Sequence, residues 1–105
     1  MRFIETPIFS KAIDALLDEE QFGALQLALL ARPDAGALIR GTNGLRKMRW
    51  ALQGGGKRSG IRVIYYWDKD SDSIYLLFAY PKSAQDNLTP KQLKALSKLV
   101  REEFP

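Results

Sequence analysis

Apolar and polar positions along the chain switch between two periods, and the switches mark its elements. Residues 1–5, MRFIE, alternate as a short strand, with Phe3 on one side and Arg2 and Ile4 on the other. Thr6-Pro7 then opens a helix, because Thr caps and Pro occupies a position that needs no backbone donor. Phe9, Ala12, Ile13 and Leu16 make one helical face, and the pattern ends near Leu17. Asp18 starts a second helix. Gln21 stands three residues on, and acidic residues fill the first turn, where the helix dipole favours them. Its stripe is Phe22, Leu25, Ala28 and Leu29, and Arg32-Pro33 ends it, since a residue before proline resists the helical well.

Residues 33–44 form a connector with a short extended piece at Ala37–Arg40 and a Gly-Thr-Asn-Gly turn. Period-two alternation returns over Leu45–Leu52, with Arg46, Met48 and Trp50 on one side and Lys47, Arg49 and Ala51 on the other. Gln53–Gly60 is a glycine-rich hairpin tip. Ile61–Trp67 is the strongest strand, with Ile61, Val63, Tyr65 and Trp67 on one face and Arg62, Ile64 and Tyr66 on the other. The polar turn Asp68–Ser73 leads into Ile74–Tyr80, whose low polar content predicts cover on both faces. After an irregular Pro81–Leu88, Thr89-Pro90 repeats the cap-then-proline start, and a last helix runs to Phe104 with Leu93, Leu96, Leu99 and Val100 inward. The prediction is an α+β fold: an N-terminal strand and αα-hairpin packed on a small antiparallel sheet, followed by a C-terminal helix. A length of 105 residues predicts a single domain spanning 1–105.

Composition removes several chemistries. There is no Cys and no His, so thiolate chemistry, imidazole general bases and the commonest metal ligands are all missing. The carboxylates are scattered singly, so neither a metal site nor a cofactor is expected. No apolar run approaches the ~20 residues that span a bilayer. The apolar-alternating start at Met1-Arg2-Phe3 does not read as a signal peptide, and a cytoplasmic protein is expected.

Charge supplies the positive signal. The net charge is only +4, but Arg40 to Trp67 holds Arg40, Arg46, Lys47, Arg49, Lys57, Arg58 and Arg62 without one Asp or Glu. These cations lie on a sheet and on the loop at its tip, a layout that suits nucleic acid. GGGKRSG lacks the spacing of a phosphate-binding loop and joins strand to strand rather than strand to helix. Alternation gives Lys47, Arg49 and Arg62 the same non-core face, with Lys82 at its rim. Such a cluster can bind a phosphodiester and stabilise the extra charge of its transition state, and a lysine among arginines can act as a base. The plainer assignments are a solvated sheet face for Lys47 and Arg49, a soluble turn for Lys57 and Arg58, a loop position for Lys82, and core for Trp50, Tyr65, Tyr66 and Trp67. Arg62 resists such an assignment, because an arginine within an apolar strand requires an anion.

The segment GTNGLRKMRWALQGGGKRSGIRVIYYWDKDSDSIYLLFAYPK resembles the core of the RelE superfamily of bacterial type II toxins, most closely the HigB-type branch. The opening FIETPIFSKAIDALLDEEQF and the closing NLTPKQLKALSKLVREEF extend the resemblance over nearly the whole chain. It implies a microbial-RNase-like toxin fold and ribosome-dependent cleavage of mRNA, leaving a 2′,3′-cyclic phosphate. It also implies a HigA-like helix-turn-helix antitoxin as partner. By position, Lys47 and Arg49 match the family's basic strand pair, Arg62 the arginine at the scissile phosphate, and Lys82 the late basic residue. Arg46, Lys57 and Arg58 are then expected to contact ribosomal RNA. Two departures stand out. Pro81 replaces a common glycine, and Asn87-Leu88 stand where some members carry a Tyr or His proton shuttle. A tyrosine base at that place is excluded, and proton transfer stays open among Lys47, Lys82 and water. Superfamily members related to ParE poison DNA gyrase instead, which is the alternative outcome for the same fold.

Overall fold

A computed structural model describes residues 1–51 and 60–103. The element order is β1 (Arg2–Glu5), α1 (Pro7–Leu16), α2 (Glu19–Ala31), β2 (Ala37–Leu38), β3 (Leu45–Trp50), β4 (Ile61–Asp68), β5 (Ser73–Pro81) and α3 (Pro90–Glu103). The strands form one sheet in the order β1-β5-β4-β3-β2. The expected antiparallel meander β3-β4-β5 is its centre. The sheet is nevertheless mixed, because β1 adds in parallel to β5, with Arg2 opposite Ser73 and Glu5 opposite Leu76.

The helix starts form as their side chains dictate. Thr6 accepts from the Phe9 amide at 3.0 Å, with Pro7 at the first helical position. Asp18 and Gln21 make a reciprocal capping box at 2.7 and 3.0 Å. Thr89 and Gln92 repeat it at α3, at 3.1 and 3.0 Å. Each box satisfies amides that the helix itself leaves unpaired. Among the described residues, no helix is long and apolar enough to cross a membrane.

The two sheet faces carry separate cores. On one, Phe9 and Ile13 of α1 and Leu25 and Leu29 of α2 bury Met48, Ile61, Val63, Tyr65, Ile74, Leu76 and Ala79. On the other, α3 lays Leu96, Leu99 and Val100 over Leu45, Ile64, Leu77, Phe78 and Tyr80. The apolar residues on the basic face are thus covered by the last helix.

One irregularity sets which residues reach that second face. Tyr65 pairs with Leu76 but Ile64 pairs with Phe78, so Leu77 is an extra residue in β5. This bulge reverses the phase of the strand. Ile74 and Leu76 face the helical hairpin, whereas Leu77, Phe78 and Tyr80 face α3. Thr6 braces the spot: its hydroxyl donates to the Leu77 carbonyl at 3.0 Å, and its amide donates to the Leu76 carbonyl at 3.1 Å.

Candidate functional site

The basic residues of the meander come together where β3, β4 and β5 lie side by side. Arg49 pairs with Arg62, and Arg62 with Tyr80. The three side chains therefore stand in one row on the α3 face, with adjacent Cβ atoms about 5 Å apart. Lys47 pairs with Ile64, one pleat further along the same face. Its ammonium donates to the Asn87 carboxamide oxygen at 2.8 Å. Lys82 continues the ladder past the end of β5, its amide donating to the Gly60 carbonyl at 3.0 Å. It stands two residues beyond Tyr80, just outside the strand.

Arg62 is the centre of this arrangement. It is 7 % exposed, and none of the described carboxylates forms an ion pair with it. Its only hydrogen bond to a described group is a long 3.3 Å contact to the Ile61 carbonyl. The cross-strand neighbour Arg49 carries the same charge. Like charges directly opposite are unfavourable, and an anion between them relieves the repulsion. The row thus concentrates positive charge on one face of the sheet.

Tyr80 belongs to the site as well, although its sequence context reads only as apolar strand. It is 3 % exposed, and its hydroxyl has no hydrogen-bond partner among the described residues. Burial pushes its pKa up, the Arg62 guanidinium draws it partly back, and Asp86 adds to the rise. The phenol is therefore neutral and a donor at physiological pH. Asn87 is the second residue that sequence reasoning left unassigned. It stands in the loop before α3, tied in by Gln85, which donates to the Asn87 carbonyl at 2.9 Å and to Gln92 at 2.8 Å.

Arg46 is not brought into this row. It lies on the helical-hairpin side of β3, where its guanidinium donates to the carbonyls of Asp34 and Gly36 at 3.3 and 2.8 Å. It also approaches the Trp67 ring, at 6.0 Å from the centroid. Lys57 and Arg58 lie outside the described residues. No three of His, Cys, Asp or Glu cluster as metal ligands among the described residues.

Comparison with known proteins places this architecture. The model of the RelE toxin of the RelE/RelB toxin-antitoxin system matches residues 9–104. The chain belongs to the RelE toxin family. Among solved structures, it is similar to a double arginine mutant of the E. coli toxin RelE in the free state. That match has 15 % sequence identity, covers 92 % of this chain and 93 % of the other, and reaches a TM-score of 0.56. At that identity the likeness concerns the fold. The expected α+β toxin fold is thereby met, and its sheet has five strands and is mixed.

Proposed function

We propose that this chain is a HigB-like toxin that cuts mRNA on the ribosome without a metal ion, and that a HigA-like helix-turn-helix antitoxin restrains it. The observation that carries the reading is the buried guanidinium of Arg62, paired with none of the described carboxylates and in register with Arg49. In this role Arg62 holds the scissile phosphate and the charge that develops on it. Lys47 and Arg49 orient the message along the face, and Lys82 closes the end of the row. The RNA 2′-oxygen attacks its own neighbouring phosphorus and the bond to the 5′-oxygen breaks, giving a 2′,3′-cyclic phosphate and a 5′-hydroxyl. One proton leaves the 2′-hydroxyl and one reaches the 5′-oxygen, with Lys47, Lys82 or water as carriers. Lys57 and Arg58 contribute further contacts to ribosomal RNA, whereas Arg46, engaged with the Asp34 and Gly36 carbonyls, is left out of that role.

Two measurements test the reading together. Arg62→Ala abolishes growth arrest while antitoxin binding persists, and 5′-end mapping after induction of the parent shows codon-phased cuts. Arrest by the alanine variant removes the assignment of Arg62. DNA damage without cut messages instead identifies a gyrase poison on the same fold.

A further inference from the structure

The hydroxyl of Tyr80 is enclosed and donates to nothing among the described residues. Most buried polar atoms find a partner, so an orphan beside a functional cluster invites an explanation. This one lies on the strand position directly opposite Arg62, on the same face of the sheet. The two side chains sense each other, since the Arg62 charge acts on the phenol against the effect of burial. Arg62 is itself more than nine-tenths buried and without a described carboxylate. Two donors of different kinds, one charged and one neutral, thus stand on cross-strand partner residues, and the neutral one has no acceptor among the described residues.

We propose that the Tyr80 hydroxyl is the second donor to the anion that Arg62 holds. The inference rests on the phosphate-holding role given to Arg62 above and adds a binding residue to it. The division of labour is physical. The guanidinium supplies the charge and a planar fork of donors on β4, whereas the phenol adds one neutral O–H from β5, carried on a ring held in place by burial. Tyr80 therefore selects the orientation of the phosphate rather than supplying its charge. Being neutral, it adds no repulsion to the Arg49–Arg62 pair. It acts as a donor and not as a base, because burial holds its proton in place.

Binding of inorganic phosphate, measured by calorimetry, and thermal melting test this in the parent and in two variants. Tyr80→Phe keeps the ring and removes the hydroxyl. Phosphate affinity should fall about tenfold, the effect of one lost hydrogen bond. The melting temperature should hold or rise, because an unpaired polar atom has left the interior. Tyr65→Phe is the control for a structural hydroxyl. Its melting temperature should fall and its phosphate affinity should stay at the parent value. Unchanged affinity in Tyr80→Phe overturns the proposal, as does affinity lost only together with a lower melting temperature, or a parent that binds no phosphate. Mapping of message 5′ ends runs in parallel. Weakened phosphate binding in a protein family member that cuts no message keeps Tyr80 in place and removes the nuclease reading alone.

Discussion

The two faces of the sheet are made by the same strands and finished in opposite ways. On the helical-hairpin face, Tyr65 lies fully buried, its hydroxyl accepting from the Gly36 amide at 2.8 Å and donating to the Pro33 carbonyl at 2.7 Å. Arg46, at the margin of that face, donates to the backbone carbonyls of Asp34 and Gly36. On the α3 face, Tyr80 is buried to a similar degree with its hydroxyl idle, and Arg62 is buried without a described carboxylate. The buried tyrosine of one face completes its polar contacts within the chain, and that of the other does not among the described residues. The indole N–H of Trp67 is an orphan on the hairpin side, at the opposite end of β4 from Arg62. There Lys69 stands 5.0 Å from the ring centroid. That cation–π contact uses the ring face and leaves the N–H without an acceptor among the described residues.

The contrast can be broken at several points. The largest effect is expected from Arg62→Ala, which should lower cleavage about a hundred- to thousandfold, as loss of a group stabilising transition-state charge does. Message cleavage on purified ribosomes measures it. Gly36→Ala attacks the completed face. A Cβ there would meet the Tyr65 ring at 2.8 Å, its hydroxyl at 2.9 Å and the Lys47 backbone at 3.1 Å. With Tyr65 fully buried, the ring has no free space to move into. A stability loss of about 1–3 kcal/mol is expected from urea unfolding. Thr6→Ala removes both the α1 cap and the brace on the Leu77 carbonyl, and should lower stability by about 1–2 kcal/mol in the same assay.

Smaller effects sharpen the contrast. Arg49→Gln relieves the like-charge pair and should raise stability by a few tenths of a kcal/mol, roughly the scale of a cross-strand pair, while weakening RNA binding. Urea unfolding and filter binding read the two opposite signs. The last effect is the pH dependence of Tyr65, whose pKa burial raises, against the hydrogen bond from Gly36 and the charge of Arg46, with Asp34 adding to the rise. The folded chain keeps a phenol proton that the unfolded chain releases near pH 10. This contribution is complete below about pH 10 and is lost as pH climbs through the higher folded value. Tyr65→Phe should therefore flatten the alkaline fall in unfolding free energy seen in the parent.

Local patterns made the helix starts and the basic row legible. Thr6-Pro7 and Asp18 with Gln21 act through neighbours three residues away, and Arg49 and Arg62 share a face by simple alternation. What stayed hidden depends on distant partners. Nothing near Arg2–Glu5 announces a parallel partner some seventy residues on, where Glu5 meets Leu76. Nothing near Lys47 points to Asn87, forty residues away. The bulge was hidden for a different reason. Ile74–Tyr80 is apolar on both sides, so its residues carry no mark of the face they take. Parity with Lys82 gave Tyr80 the basic face, but only as an apolar position in need of cover, and the register set it opposite Arg62.

The hitch at Leu77 also divides β5 mechanically. Ser73–Leu76 is held between β1 and the far half of β4, while Phe78–Pro81 pairs with the half of β4 that carries Arg62. A small sideways slip of the first half can be absorbed at the extra residue before it reaches Tyr80. The N-terminal edge can thus tolerate sequence change that the anion-holding row, one pleat away, would not survive.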